Sequence, residues 1–266
     1  MKILLFGATG MLGRYVLRIL NKTYEVICVL RDDYDIEKDS WAKLEDTLTT
    51  KLQKNDVIIN CAGVIPQKYK DDNYMTYIRV NTLFPHKLNE MSKNNSYKFI
   101  HITTDCVYDG SRGNYCLIDD HTAKNIYGIS KSLGEPAEAT LIRSSIIGEE
   151  LVGKKSLLEW VKSNKNGKLN GYTNHYWNGI TCLELAKIIK HTIDNNSFWQ
   201  GVKNIASLEI VTKYELCNYI NEIYNLNINI EKYNDFVSKN MTISGDKTFK
   251  LNNIYQQLVE QYNFGL

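Results

Sequence analysis

The sequence predicts an α/β fold: a doubly wound parallel sheet with helices on both faces and a smaller lobe from the C-terminal part. Three observations predict it. Short apolar, β-branched runs alternate with helical stretches through the first half of the chain. Glycines at positions 7, 10 and 13 follow the first of these runs directly. From about residue 150 the clean alternation is lost, which divides the chain into a main region, 1–150, and a lobe, 151–266, with segments returning to the main region.

The elements follow in order. Residues 2–7 are an apolar run that ends in the glycine turn, and Tyr15 to Leu20 continue as a helix. A second strand, Glu25 to Leu30, ends in the polar stretch Arg31-Asp32-Asp33-Tyr34-Asp35-Ile36. Trp41 to Leu52 can form a helix, and Asp56 to Asn60 is a short buried strand ending at Cys61-Ala62-Gly63. Asn73 to Ser92 is predicted helical, with Pro85 at a break or a helix start. Phe99 to Thr103 is the next strand, Asn125 to Glu138 a helix shortened by Pro136, and Thr140 to Arg143 a further strand. Beyond residue 150 helices are expected at 154–163, 181–193, 212–224 and 252–262, with a turn-rich aromatic segment from Tyr172 to Asn178.

Composition narrows the function classes. Lys and Arg total 32 against 30 Asp and Glu, a net charge of +2, so no strong field draws the chain toward a nucleic acid polymer or an anionic membrane. Six cysteines are scattered without a CxxC pair, which argues against a zinc site and fits a reducing compartment. The N-terminal apolar run reaches its glycine turn too soon for a signal peptide, so a cytoplasmic, membrane-free protein is the expectation.

The chemistry is read from strand ends, because open parallel sheets place ligands beyond the carboxyl ends of their strands. Gly7, Gly10 and Gly13 suit a tight turn, close approach to a pyrophosphate and tight helix–sheet packing, with Met11 and Leu12 opening the helix whose amides face the anion. A structural turn is the competing reading, but its position after the first strand favours a dinucleotide. Cys61, Ala62 and Gly63 are small enough to lie against a ribose or a nucleotide ring, and Asn81 can hydrogen-bond across to a strand-end carbonyl. Tyr127 and Lys131 share one helical face, which suits a phenol proton donor and an ammonium that lowers its pKa, while Thr104 can bond a substrate oxygen. Each is common alone; the ordered combination is not.

That combination closely resembles the extended short-chain dehydrogenase/reductase family, in its nucleotide-sugar 4-ketoreductase branch. The resemblance is carried by Gly7-Ala8-Thr9-Gly10-Met11-Leu12-Gly13, Asn60-Cys61-Ala62-Gly63, Thr103 to Gly110, and Tyr127-Gly128-Ile129-Ser130-Lys131 with Gly134-Glu135. It implies a Rossmann-type sheet and NAD(P)H-dependent reduction of the C4 carbonyl of a nucleotide-activated 4-keto-6-deoxy sugar, in the making of a bacterial surface polysaccharide. Tyr127 then protonates the developing alkoxide, Lys131 holds the cofactor ribose, and Thr104 orients the carbonyl. Tyr127, Lys131 and Asn81 join the glycines, Met11, Leu12, Cys61 and Ala62 as cofactor-binding residues. Arg31, with Asp35 and Ile36 beyond it, falls where the adenosine ribose lies; Arg31 favours NADPH, whereas an acidic neighbour turned inward would favour NADH. No metal is required, and a homodimer is the assembly the family prefers.

Departures bear on the substrate. Where relatives that make rhamnose carry a tryptophan after the Arg-Thr-Ser strand end, this chain has Ile146, and Trp177 in the aromatic segment is a candidate replacement. Gln67 and Lys68 can approach the sugar or its diphosphate, and Thr104, Val107 and Tyr108 line the strand-end loop beside it. Asp105 is followed by Cys106, not glutamate, so a 4,6-dehydratase lacks its second carboxylate. A 4-epimerase using the same Tyr127 and Lys131, and a dinucleotide-binding regulatory subunit without turnover, are the alternatives.

Overall fold

The structure, a computed structural model, describes residues 1–67, 69, 72–151 and 155–266. Among them, six strands form one parallel sheet. Its strands are β1 (Lys2–Phe6), β2 (Glu25–Val29), β3 (Val57–Asn60), β4 (Lys98–Thr104), β5 (Thr140–Ser144) and β10 (Gly201–Asn204), in the spatial order β10-β5-β4-β3-β1-β2. Sequence order reverses at β1, which is flanked by β2 and β3, so the carboxyl ends of β1 and β3 border the switch point where such sheets bind ligands.

Strand periodicity explains why the sheet needs two helical layers. Ile3 and Leu5 of β1 enter one core with α1 (Met11–Leu20) and α7 (Cys182–Asp194). Leu4 and Phe6 enter the other with α2 (Trp41–Lys51) and α4 (Phe84–Asn95). β1 is therefore apolar on both faces, which accounts for its unalternating run in the sequence. The expected helix over 73–92 spans α3 (Tyr74–Tyr77), a π-helical stretch Ile78–Leu83, and α4, whose first turn holds Pro85. The helix bearing the tyrosine and lysine is α5 (Ile126–Leu133), capped by the Asn125 side chain on the Gly128 amide at 2.8 Å.

Residues beyond β5 build the lobe and complete the sheet. A third core holds α6 (Leu157–Ser163), α8 (Lys213–Ile223), α9 (Ile254–Phe264) and Trp177, whereas α7 and β10 belong to the main sheet. Two short elements join the parts: β6 (Ile146–Ile147), just past β5, pairs in parallel with β9 (Ile180–Thr181), which leads into α7. The aromatic segment expected as a turn forms the end of β7 (Lys168–Tyr172) and β8 (His175–Trp177). β8 pairs with β11 (Val211–Thr212), and β7 with β12 (Asn229–Tyr233). No helix among the described residues is long and apolar enough to cross a membrane.

Candidate active site

The glycine turn has the shape of an anion cradle. Gly7 has φ +77°, and a Cβ there would lie 2.6 Å from the Ala62 amide nitrogen, so the turn abuts the end of β3 directly. At Gly13 a Cβ would stand 2.0 Å from the Gly7 carbonyl oxygen, which leaves only glycine where α1 crosses the turn. Gly10 is the N-cap of α1 and no side chain caps the helix, so its first amides are free for an anion. These features fit the pyrophosphate of a dinucleotide. Met11 is half-buried against Gly148 and Leu12 is buried in the core, so both act as packing that seats the helix start.

At the next strand end the backbone is held from below. Cys61 bonds back to Phe6 through its amide at 3.0 Å, and the Ala62 amide donates to Asn60 Oδ1 at 3.0 Å. Asn81 is buried, 1% exposed, on the π-helical stretch. Its Oδ1 accepts from the Val64 amide at 3.0 Å, and its Nδ2 donates to the Val64 carbonyl at 3.0 Å and to Ser130 Oγ at 3.1 Å. The side chain thus ties the 61–64 loop to α5. That is a positioning role, and the carbonyl it bonds, that of Val64, lies four residues past the end of β3 and not at the strand end the sequence suggested.

Thr104, Tyr127 and Lys131 converge. Thr104 ends β4, and its Oγ1 accepts from the Cys106 amide at 3.2 Å while its hydroxyl donates to Asp105 Oδ1 at 3.1 Å. The Tyr127 phenol lies near enough to Thr104 for that hydroxyl to lower its pKa, against the dominant effect of burial, which raises it. The Lys131 ammonium donates to the Ile102 carbonyl at 2.8 Å and lies beside Gly63, placing it between the tyrosine's helix and the end of β3. Burial holds its pKa down to about 8, opposed by Glu135. The lowering of the phenol expected from Lys131 does not appear here: Lys131 is not among the groups that shift it, and burial raises it.

Asp105, which the sequence reading weighed only against a dehydratase, adjoins Thr104 at the site. It is buried, and desolvation pushes its carboxyl up, against hydrogen bonds from Ser145 and Thr104. Thr104 has one hydroxyl proton. While Asp105 is ionised that proton is held; a neutral Asp105 can donate to Thr104 Oγ1 and release it toward a substrate oxygen. Ser145 also accepts the Trp177 indole N–H at 2.8 Å. Glu135, from the Gly134-Glu135 pair, clamps the ends of β4 and β5 by accepting from Thr103 Oγ1 at 2.7 Å and from Arg143 at 2.6 Å.

Several candidates are placed differently from expectation. Val107 and Tyr108, expected beside the sugar, are 0% and 2% exposed; Tyr108 stacks on Tyr115 at 4.2 Å and accepts from Arg143 at 2.9 Å. Their side chains are core, because the short helical turn after Thr104 folds the chain back onto Arg143. Trp177 is 4% exposed and bonded to Ser145, so it is a strut between lobe and sheet in place of an open aromatic face. Ile146 is half-buried and pairs with Ile180. Gln67 is exposed, with its carbonyl accepting from Lys155 at 2.6 Å; Lys68 lies outside the described residues.

At the end of β2, Arg31 is exposed and paired with Glu37 at 3.0 Å, and Tyr69 donates to the same carboxylate at 2.8 Å. Glu37, absent from the sequence reading, is thus the acid nearest Arg31. Asp35 is occupied in its own turn, accepting from the Glu37 amide at 2.9 Å, and Ile36 packs against Val64, Tyr77 and Val80.

Fold and site together define an extended short-chain dehydrogenase/reductase. The model for the RmlD substrate binding domain matches residues 1–147, more than half of the chain. The chain belongs to that family, which is related to dTDP-4-dehydrorhamnose reductase and the nucleotide-sugar ketoreductases. It is 24% identical over 201 residues to a dTDP-4-keto-6-deoxy-D-glucose reductase of Streptomyces niveus, covering 71% of this chain and 68% of that protein. It is 31% identical over 150 residues to a dTDP-4-dehydrorhamnose reductase of Aggregatibacter actinomycetemcomitans, covering 55% of this chain but only 49% of that one. The crystal structure of dTDP-4-dehydrorhamnose reductase from Bacillus anthracis in complex with NADP superposes with a TM-score of 0.83 at 16% identity, covering 100% of this chain and 99% of that one.

Proposed function

We propose that the protein reduces the C4 keto group of a nucleotide-activated 4-keto-6-deoxy sugar, with NADPH preferred over NADH. The observation that carries this reading is the convergence of Thr104, Tyr127 and Lys131 beside a glycine cradle shaped for a dinucleotide. A regulatory protein that only binds the dinucleotide has no use for a phenol held against a threonine hydroxyl at a strand end. The names of the relatives, all nucleotide-sugar reductases, support the substrate class.

The nicotinamide cofactor supplies the hydride when bound. Gly7, Gly10 and Gly13 would receive its pyrophosphate, the Cys61–Gly63 backbone would help hold it, and Lys131 would bond its ribose hydroxyls. Thr104 bonds the ketone oxygen and sets its distance from the Tyr127 phenol. Tyr127 delivers the proton as the carbonyl carbon becomes tetrahedral, and Lys131 stabilises the phenolate left behind. A homodimer belongs to the same reading; Ile129 and Leu133, one turn apart and exposed on α5, form an apolar strip that a second copy would cover.

The test is a panel of dTDP-, UDP-, GDP- and CDP-linked 4-keto-6-deoxy sugars with the wild type and Tyr127→Phe. One ketosugar is expected to be reduced with stoichiometric NADPH consumption, and the variant to lose at least roughly 10²-fold in turnover while binding NADPH normally. Near-wild-type turnover by Tyr127→Phe removes the catalytic assignment. Interconversion of two sugars without net NADPH consumption would make the protein an epimerase.

A further inference from the structure

The segment from His121 to Asn125 is a strap between the turn that follows Thr104 and the helix that carries Tyr127. On one side, the Thr122 and Ala123 amides both donate to the Val107 carbonyl at 3.0 Å, and the Thr122 hydroxyl accepts from the Asp109 amide at 3.0 Å. On the other, Asn125 caps α5. At Gly128 of that helix a Cβ would lie 2.5 Å from the Ala123 methyl carbon and 2.3 Å from the Cys106 carbonyl oxygen. Gly128 adjoins Tyr127, so the strap and the Thr104 turn both press on the helix one residue from the phenol.

His121 fastens the start of the strap. Its Nε2 stands 2.8 Å from Arg143 Nη2 and its Nδ1 2.6 Å from Ser132 Oγ on α5. A guanidinium has donors only, so Nε2 accepts, and the one ring proton sits on Nδ1 and is donated to Ser132. Only the neutral imidazole makes both bonds. Arg143 from β5, Glu135 from beyond α5 and Tyr108, edge-on at 5.5 Å, face the ring, with Asp120 beside it in its own segment. Glu135 is a poor counter-ion for a protonated ring, because its Oε2 is 4.0 Å from Nε2 and already accepts from Arg143 at 2.6 Å. Arg143 is 2% exposed and cannot follow a ring that swings away. An added proton therefore sets two cations against one carboxylate and abolishes the bond to Arg143. Burial and Arg143 accordingly hold the His121 pKa below its ordinary value, against Glu135 and Asp120.

We infer that His121 is a positioning residue: as a neutral imidazole it ties the 121–125 strap to α5 and β5 and so sets the spacing between Thr104 and Tyr127. Protonation releases the strap. The inference rests on the roles proposed for Thr104 and Tyr127, whereas the tautomer and the tie to Arg143 are properties of the fold and are read without turnover. Because the strap lies on the reacting pair and not on the glycine cradle, the effect belongs in kcat and leaves NADPH affinity alone.

The experiment compares full-length wild type with His121→Gln, which keeps an acceptor for Arg143 but cannot titrate, and His121→Ala, which keeps neither bond. Nitrogen-15 NMR of the imidazoles, with the His121 signals assigned by their absence from the Gln variant, is expected to show a neutral ring protonated at Nδ1 at pH 7.5. In thermal melts the His121 contribution is complete above about pH 6.5 and is lost as pH falls, since the unfolded chain binds a proton there that the fold excludes. Wild type should therefore lose melting temperature relative to the Gln variant between pH 6.5 and 5. With the ketosugar that the wild type reduces, His121→Ala is expected to lose roughly 10- to 100-fold in kcat at pH 7.5, as for a misplaced reacting group, with NADPH affinity within a few-fold of wild type. The Gln variant should recover most of that loss and fall off less steeply in acid. A ring that is charged or protonated at Nε2 at pH 7.5 overturns the inference. So does a Gln variant whose melting and kcat profiles follow those of wild type down to pH 5, or an Ala variant with wild-type kcat. Failure of the wild type to reduce any ketosugar, with the NMR and melting results as expected, would sink the reductase reading and leave the neutral tie to Arg143 standing.

Discussion

Lys131 is expected to show two pH dependences of opposite sign. Its ammonium is held down to about 8 by burial, against 10.5 in an ordinary lysine. Between those values the unfolded chain binds a proton that the cofactor-free fold does not. This contribution to stability is complete above pH 10.5 and lost as pH falls to about 8. Lys131→Met removes the penalty, so any gain in melting temperature over the wild type at pH 7 should shrink as pH approaches 10. Cofactor affinity should run the other way, weakening above about pH 8 in the wild type as the ammonium is lost, and staying flat in the variant. Parallel melts and fluorescence titrations across pH 7–10 read both; identical pH profiles for wild type and variant would remove the assigned role. At the end of β2, Glu37 holds Arg31 at 3.0 Å. Arg31→Ala should weaken NADPH binding by about 1–3 kcal/mol and NADH binding much less. Glu37→Gln should strengthen NADPH binding by freeing the guanidinium. Equal losses of both cofactors in Arg31→Ala would make Arg31 merely structural.

At the scale of elements, the strand–turn–helix unit is determined by close backbone approach. A side chain at Gly13 meets the Gly7 carbonyl, a backbone group that cannot swing aside as a flexible side chain can. Gly13→Ala should therefore open the turn, lower stability by about 1–3 kcal/mol and weaken NADPH by more than roughly tenfold. Thermal melts and a cofactor titration measure the two effects, and an alanine variant that binds NADPH like the wild type would refute the cradle. The π-helical stretch Ile78–Leu83 brings Asn81 to the loop after β3 and leaves Gly134 as the residue that can pass its carbonyl, where a Cβ would stand 1.8 Å away. The periodicity of 73–92 announced a helix but not this local widening, because one extra residue in a turn barely disturbs an amphipathic pattern.

Across the whole molecule, the lobe is joined to the sheet by β6 pairing with β9 and by the Trp177–Ser145 bond. Gly179 lets the chain turn there, since a Cβ would lie 2.2 Å from the Ser145 carbonyl and 2.3 Å from the indole ring. Ser145→Ala keeps the whole indole ring and deletes only the hydroxyl that accepts its N–H. It should cost about 0.5–1.5 kcal/mol in urea unfolding and leave nucleoside affinity unchanged. An unaltered unfolding midpoint would show that the bond contributes nothing to joining the two parts.

The sequence by itself determined the parallel sheet, the glycine cradle and the catalytic candidates, because these depend on local signals: apolar runs, a turn only glycine can make, and the i,i+4 spacing of Tyr127 and Lys131 on α5. Tertiary structure alone decided which aromatic and charged residues face the site. Tyr108 and Trp177 carry side chains suited to a sugar, yet they bond Arg143 and Ser145 of the β5 region, 35 and 32 positions away, and Val107 packs against Ala206 and Ile243. Asp105 acquires its meaning through burial and through Ser145, 40 positions on, as well as through the adjacent Thr104, and such desolvation leaves no periodic trace in a sequence.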